Sequence, residues 1–259
     1  MSGLVELLFG QVAQLTLNDP PLNLVSEELL TELDAALEQL EATAPGEVRA
    51  VVVTGSGDRA FSAGSDVKGF EGHRGSAGRP HFTREEGTFK RLSDLPMPTI
   101  AAIEGNALGG GLELALACDI RVCSERASLG LPEVRLAVTP GAGGTQRLPR
   151  VVGVGVAKEM TLTGRIIDAH EAKAIGLVSR VVPAGQAVAG AREIGDEIAQ
   201  RGPLAVREVK RLIDLSVDVD IDAGIAAEID ASERVFSSED MLEGARAFFE
   251  KRQPTYRGR

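Results

Sequence analysis

The 259-residue sequence contains no tryptophan, and aromatic residues make up only 3% of it. So small an aromatic content leaves few side chains on which single-stranded bases could stack. Positive charge is also in short supply, because 28 Lys and Arg stand against 38 Asp and Glu and leave a formal charge of −10. An acidic chain lacks the general basic surface that nucleic-acid binding requires. We therefore expect no nucleic-acid partner.

Cysteine and histidine are scarce as well. The two cysteines, Cys118 and Cys123, do not have the spacing of a zinc or redox motif, which indicates buried thiols in a reducing compartment. The three histidines are scattered and predict no metal site. The sequence also lacks a signal-peptide pattern and any apolar run of membrane-spanning length. It thus predicts a cytoplasmic protein without a membrane partner.

Apolar residues, at 43%, and 30 glycines are what the composition has in quantity. Residues 50–54 (AVVVT) and 99–103 (TIAAI) are continuous apolar runs, typical of strands buried on both faces. Helical patterns alternate with such strands and then continue alone over residues 187–251. This order predicts an α/β core with an all-helical end. Residues 55–60 (GSGDRA) match a loose dinucleotide fingerprint, but no amphipathic helix follows, so we interpret them as a turn.

The central stretch, residues 99–146, carries the strongest functional pattern. Three glycines, residues 109–111, precede a helix that is apolar on nearly every side, yet Glu113 lies in its first turn. Such a helix opening presents unpaired peptide N–H groups that favour a developing negative charge. A second acid, Glu133, follows in GLPEV, just before another glycine-rich opening, PGAGG. Each acid alone is weak evidence, but two carboxyls near such a site can divide general acid and general base work.

These segments resemble a known family. GNALGGGLELALACD, GLPEVRLAVTPGAGGTQRLPR and FSAGSDVK are similar to signature segments of the crotonase, or enoyl-CoA hydratase/isomerase, superfamily. The likeness extends from LNDPPLN near the start to SSEDMLEGARAFFEKR near the end. It implies an α/β fold, with the crotonase-type spiral of ββα units in residues 1–200 and a C-terminal all-helical trimerisation region in residues 201–259. It also implies self-association as a homotrimer or a dimer of trimers.

Among the members of this family, the chain most resembles an enoyl-CoA hydratase, which adds water reversibly across the 2,3 double bond of a 2-enoyl-CoA thioester. Glu113 and Glu133 match the two catalytic glutamates. The peptide N–H groups of Ser65 and Gly110 match the donors of the oxyanion hole, and Gly141 matches a glycine that helps to hold the water. Many relatives have Ala in place of Ser65, but a backbone donor needs no particular side chain. The resemblance implies neither a metal nor a cofactor, since coenzyme A is part of the substrate.

The resemblance also implies contacts with the acyl-CoA substrate. The residues that match CoA- or substrate-binding positions are Ala63, Ser65, Asp66, Val67, Lys68, Gly110, Phe248 and Lys251. In relatives the last two approach the adenosine part, often from a neighbouring subunit, although a merely solvated basic chain end explains Lys251 equally well. Residues 69–80 (GFEGHRGSAGRP) are glycine-rich and polar, which predicts a mobile loop. We expect the loop histidines, His73 and His81, to be solvated and assign them no role.

Other functions remain open at this point. Family isomerases commonly keep an acid that matches Glu133 and lack one that matches Glu113. The pair of acids therefore favours hydration, and isomerisation or an unusual acyl group is the next alternative. A non-catalytic acyl-CoA-binding protein of the same fold is a third candidate, which the intact acids disfavour. Some relatives bind RNA as a second activity, and the acidic charge argues against this for the present chain.

Overall fold

The computed structural model describes residues 3–259. The strands found there are Val5–Leu8 (β1), Val12–Leu17 (β2), Ala50–Gly55 (β3), Ala60–Ser62 (β4), Thr99–Ile103 (β5), Asn106–Leu108 (β6), Ile120–Ser124 (β7), Ser128–Gly130 (β8), Ile166–Asp168 (β9) and Arg180–Val182 (β10). The α-helices are Glu27–Glu41 (α1), Arg79–Asp94 (α2), Gly110–Ala117 (α3), Gly144–Val152 (α4), Val154–Thr163 (α5), Ala169–Ala174 (α6), Ala187–Ala199 (α7), Pro203–Leu215 (α8), Ile221–Phe236 (α9) and Glu239–Glu250 (α10). Short 3₁₀ helices span Val67–His73, Gly75–Gly78 and Glu133–Leu136.

The larger sheet has the strand order β1-β2-β3-β5-β7-β10, in which the β1–β2 pair is antiparallel and the other pairs are parallel. Successive side chains of a strand point to opposite faces. Val51 and Val53 accordingly pack into the main core with α1 and α3, whereas Ala50 and Val52 pack against α7. Burial on both faces explains why these strands are continuous apolar runs. The expectation for residues 50–54 and 99–103 is confirmed.

The smaller sheet determines where the functional residues lie. Its order is β4-β6-β8-β9, with β4, β6 and β8 parallel and β9 antiparallel to β8. The carboxyl ends of neighbouring parallel strands meet at one edge of a sheet, which is where open α/β sheets commonly bind ligands. The segments that leave β4, β6 and β8 contain Ser65, Gly110 and Glu133 respectively. Three separate parts of the chain are therefore brought to one edge.

Local sequence signals explain several helix boundaries. The Ser26 hydroxyl accepts a hydrogen bond from Leu29 N at 3.1 Å and caps α1, and Asp168 accepts one from Glu171 N at 2.8 Å and caps α6. From residue 203 onwards the chain is helical, and α8 packs against α9. The predicted α/β core with an all-helical end is thus confirmed. No helix within residues 3–259 is long and apolar enough to cross a membrane.

The sequence predicts a mobile loop over residues 69–80, whereas the structure has helical turns there. This stretch forms most of the 3₁₀ helix Val67–His73, the 3₁₀ helix Gly75–Gly78 and the first residues of α2. The Asp66 carboxylate starts the first of these helices by accepting a hydrogen bond from Lys68 N at 3.0 Å. Pro80 lies in the first turn of α2, where a peptide N–H has no helical partner in any case. Because glycine-rich polar segments are typical of loops, the four glycines did not indicate these helical turns.

Candidate active site

The edge of the smaller sheet opens into a cavity of about 410 Å³. Of the residues singled out in the sequence, those that line it are Ala63, Ser65, Val67, Gly110, Glu113, Glu133 and Gly141. The rest of the wall includes His73, His81, Phe82, Glu85, Leu136 and Val138. The two glutamates and the two peptide groups of interest therefore share one enclosed space. Asp66, Lys68, Phe248 and Lys251 do not line this cavity, and Phe248 is 81% exposed on α10.

Glu113 is held by the backbone of a distant segment. Every residue of α3 is buried, and Glu113 is only 2% exposed. Its Oε1 accepts hydrogen bonds from Ala142 N at 2.9 Å and from Gly144 N at 2.7 Å. Burial raises the pKa of the Glu113 carboxyl, and these peptide N–H groups, with Gly141 and Arg147, oppose the rise. One oxygen is thus fixed in place.

Glu133 has the opposite environment. Both of its carboxyl oxygens are buried, and no other residue in the described part of the chain donates a hydrogen bond to either of them. Burial, together with the neighbouring carboxyls of Glu113 and Glu85, raises the pKa of Glu133 to about 7. A buried polar group without a partner is rare in a folded protein and calls for an explanation. For a carboxyl that faces a cavity, the explanation is that a bound molecule supplies the hydrogen-bond partner.

The glycines between β6 and α3 let the chain pass close to these acids. Gly109 has φ +53°, and a Cβ there would lie 3.3 Å from Glu133 Oε1. A Cβ on Gly110 would lie 3.6 Å from Ser65 N, so the backbones at 65 and 110 are close neighbours. Gly64, with φ +92°, makes the matching close approach, since its Cβ would lie 3.1 Å from Gly110 N. Within residues 3–259, neither Ser65 N nor Gly110 N has a backbone hydrogen bond.

Two residues of the cavity wall carry titratable groups that sequence reasoning missed. Glu85, on α2, is 3% exposed, and its Oε1 lies 3.1 Å from the Ser65 hydroxyl. His81, one turn earlier, is not a solvated loop residue as expected, because its side chain is only 10% exposed and its ring stacks on His73. Its Nδ1 lies 2.6 Å from Glu27 Oε1 and its Nε2 lies 3.7 Å from Glu85 Oε2. The i, i+3, i+4, i+7 spacing of the buried residues Glu85, Thr88, Phe89 and Leu92 was the available signal for this helix face.

The arrangement is suited to acid–base chemistry. Two buried carboxyls, at least one with a raised pKa near 7, share a cavity with peptide N–H groups at a helix opening. Donors of this kind suit a developing oxyanion, and the carboxyls suit proton transfer at neutral pH. A group that accepts and returns a proton beside a stabilised oxyanion can catalyse addition to, or isomerisation of, a double bond conjugated with a carbonyl.

Comparisons with known proteins agree with this assignment. Residues 9–259 match the family model described as enoyl-CoA hydratase/isomerase. The chain is 44% identical over 248 residues to the putative enoyl-CoA hydratase/isomerase YngF of Bacillus subtilis, covering 95% of each chain. It is 42% identical over 245 residues to a short-chain-enoyl-CoA hydratase of Clostridium acetobutylicum, covering 94% of this chain and 93% of the relative.

The fold comparison gives the same result. The crystal structure of an enoyl-CoA hydratase from Bacillus anthracis superposes with a TM-score of 0.95 at 45% identity, over 99% of this chain and 100% of that one. The chain therefore belongs to the enoyl-CoA hydratase/isomerase family and has the crotonase fold. The family resemblance read from the sequence is confirmed.

Proposed function

We propose that the protein is an enoyl-CoA hydratase, which adds water reversibly across the 2,3 double bond of a 2-enoyl-CoA thioester. The observation that carries the proposal is the buried Glu133 carboxyl, which faces the cavity of Glu113 and has no hydrogen-bond partner from another described residue. A hydratase needs two carboxyls around one water, whereas an isomerase can work with one. The relatives named as hydratases support the same choice.

The thioester oxygen would lie between the peptide N–H groups of Ser65 and Gly110. Both residues line the cavity, and both N–H groups lack backbone partners in residues 3–259. Addition at the β carbon places negative charge on this oxygen as an enolate, and fixed donors stabilise that charge without reorganising. Removing one donor of this type typically raises the barrier by about 3 kcal/mol. The two amides would thus supply the electrophilic half of the reaction.

The two glutamates would supply the proton transfers. Glu113, with Oε1 held by Ala142 and Gly144, would accept a proton from water through its other oxygen as the water oxygen bonds to the β carbon. Glu133, whose pKa of about 7 leaves it partly protonated at neutral pH, would deliver the proton to the α carbon. Gly141, whose peptide N–H is near the Glu113 carboxyl, would help to hold the water. The proton taken up by Glu113 would then pass to Glu133, directly or through a water, and restore both groups. Over the whole reaction, one water supplies the hydroxyl at the β carbon and the hydrogen at the α carbon.

The size of the cavity favours a short acyl chain. Its volume of about 410 Å³ lies toward the lower end of the range of roughly 300–1,000 Å³ for small-molecule pockets. Phe82, Leu136 and Val138 give it apolar walls. The cavity cannot hold both the acyl chain and the nucleotide part of coenzyme A, so the nucleotide would remain outside. A neighbouring subunit of a trimer would bring Phe248 and Lys251 to it there. The substrate class is accordingly a short-chain 2-enoyl-CoA.

Glu113→Gln and Glu133→Gln test the proposal directly. Each should lower kcat for crotonyl-CoA hydration by about 10²–10⁴-fold, because general acid–base catalysis typically contributes that much. Loss of absorbance of the conjugated thioester measures turnover, and a calorimetric titration with a saturated acyl-CoA checks that binding persists. Glu38→Gln is the matched control, since Glu38 is exposed on α1 and does not line the cavity. Turnover like that of the unmodified protein in either active-site variant would refute the assignment.

A second substrate distinguishes the isomerase alternative. With 3-enoyl-CoA, a hydratase should give little product, whereas an isomerase should convert it rapidly to the 2-enoyl isomer. Conversion of 3-enoyl-CoA faster than hydration of 2-enoyl-CoA would make isomerisation the main reaction.

A further inference from the structure

The Ser65 hydroxyl and the Glu85 carboxyl form a pair beside the Gly110 peptide. Ser65 Oγ lies 3.1 Å from Glu85 Oε1, and both residues line the cavity. A Cβ on Gly110 would lie 3.2 Å from Ser65 Oγ and 2.9 Å from Glu85 Oε1. We propose that Glu85 is a positioning residue which, as a neutral acid, donates a hydrogen bond to Ser65 Oγ and so turns the Ser65 hydroxyl toward the thioester oxygen as a third donor. This inference rests on the proposed function, which places that oxygen between residues 65 and 110.

The direction of the Ser65–Glu85 hydrogen bond decides what the hydroxyl can do. A serine hydroxyl has one hydrogen and two acceptor lone pairs, and an ionised carboxylate can only accept. An ionised Glu85 would therefore take the single Ser65 hydrogen and leave none for the substrate. A neutral Glu85 donates to Ser65 Oγ, and the Ser65 hydrogen is then free to point at the thioester oxygen. An apolar site can keep a carboxyl neutral for this kind of donation beside an oxyanion.

The surroundings of Glu85 favour the neutral acid. The side chain is 3% exposed, and burial with the charge of Glu113 on α3 raises its pKa to about 7. His81 on the same helix and the hydrogen bond with Ser65 oppose the rise, while Glu27 on α1 acts in the same direction as Glu113. Glu133 adds a further carboxyl on the opposite side of the cavity. A third negative charge would also repel the enolate, so the neutral form is the one compatible with catalysis.

His81 connects Glu85 with the outer surface. Its Nδ1 lies 2.6 Å from Glu27 Oε1, and its Nε2 faces Glu85 Oε2 at 3.7 Å. The Glu27 side chain is 46% exposed and also pairs with Arg84 at 2.7 Å. This row of groups fixes the side of Glu85 that does not face Ser65.

A double-mutant cycle tests the hydrogen-bond relay. Ser65→Ala keeps the peptide N–H and removes only the hydroxyl, and it should lower kcat about tenfold, the effect of one such hydrogen bond. Glu85→Ala should lower kcat by a similar factor, and the double variant should be no slower than either single one, because both remove the same donor. Glu85→Gln, whose amide can still donate to Ser65 Oγ, should stay within about threefold of the unmodified protein. Glu38→Gln, a surface change on α1, is the control and should not change kcat.

Several results would overturn the relay. Losses that multiply in the double variant would show independent roles, and a Glu85→Gln variant as slow as Glu85→Ala would show that Glu85 works as an ionised group. If Glu85→Ala does not fold, Ser65→Ala and Ser65→Ala/Glu85→Gln still decide the question. A Ser65→Ala variant with unchanged kcat would remove the basis of the proposal.

A second measurement separates this inference from hydration itself. Bound acetoacetyl-CoA can ionise to an enolate with charge on the thioester oxygen, and ultraviolet absorbance reports the enolate fraction without any water addition. We expect Ser65→Ala and Glu85→Ala to lower this fraction at a given pH, with Glu85→Gln restoring it. If the protein stabilises the enolate in this way but does not hydrate crotonyl-CoA, the proposed function fails and the relay stands. Equal enolate fractions in all variants would contradict the relay even in an active hydratase.

Discussion

The cavity has two sides that are built differently. The strand-end floor, residues 108–113 and 130–144, contributes Glu113, Glu133 and peptide N–H groups, and Glu113 is fixed there by two backbone donors. The α2 wall, residues 67–94, contributes the side chains of His73, His81 and Glu85, which are held by other side chains. Because peptide groups hold the floor in place, few substitutions there would leave its geometry unchanged. Because side chains hold the wall groups in place, substitutions there can alter the chemistry of the cavity without moving the backbone.

The largest expected effect concerns stability and compares one carboxyl from each side. Glu85 and Glu133 both have pKa values raised from 4.5 to about 7. Such a carboxyl binds more protons folded than unfolded between these pH values, so its contribution to stability is present below about pH 4.5 and is lost as the pH rises through about 7. For the nearly unexposed Glu85, the change is about 3 kcal/mol. The free energy of unfolding of Glu85→Gln, relative to that of the unmodified protein, should therefore increase as the pH is raised from 5 to 8.

Urea unfolding of the two proteins at both pH values measures this difference. Glu133→Gln should change in the same direction, whereas the exposed control Glu38→Gln should follow the unmodified protein. A constant difference in unfolding free energy between Glu85→Gln and the unmodified protein across this range would mean that Glu85 is ionised throughout. The description of the wall would then be wrong for this carboxyl.

The next effect tests the rigidity of the floor. A Cβ on Gly144 would lie 2.9 Å from Glu113 Oε1 and 3.0 Å from Leu131 Cδ1, so Gly144→Ala must displace the carboxyl or the helix start. A misplacement of about 1 Å at a catalytic group can cost about 100-fold in rate. We expect kcat for crotonyl-CoA to fall by about this factor while circular dichroism still reports a folded protein. A rate within a few-fold of the original would mean that the floor can adjust.

The smallest effect concerns a glycine of the wall and serves as the matched partner of Gly144→Ala. Gly87 lies inside α2, and a Cβ there would meet nothing within 4 Å. Gly87→Ala should stabilise the protein by about 0.5–1 kcal/mol, since glycine in a helix interior is less favourable than alanine. Thermal unfolding measures the gain, and kcat should not change. A loss of activity in this variant would show that the wall is as tightly fixed as the floor.

The floor was predictable because its signals are local. The glycine run before α3, the acid in its first turn and the acid after Pro132 are each visible in a few consecutive residues. The strands beside it follow from continuous apolar runs that require burial on both faces. The resemblance to a family then related the two acids to each other, which spacing alone does not do.

The wall was not predictable in the same way. Four glycines in residues 69–80 predict a loop, whereas the structure has short helical turns there, the first of them capped by the Asp66 carboxylate. Glu85 and Glu86 are identical neighbours in the sequence, yet Glu85 is buried while the Glu86 side chain is 43% exposed. Which of two adjacent acids faces inward depends on the placement of the whole helix against α1 and α3. The trimer, the division at residue 200 and the contacts of Phe248 and Lys251 stay predictions.

The hydrogen bonds of Glu113 have one more consequence. Its carboxylate joins α3 to peptide groups about thirty positions later in the chain, Ala142 N and Gly144 N. The same side chain therefore also links the start of α4 to α3 in the core. Hydrogen exchange at the amides of residues 142 and 144 should accordingly report whether these two hydrogen bonds are formed, even when no substrate is present.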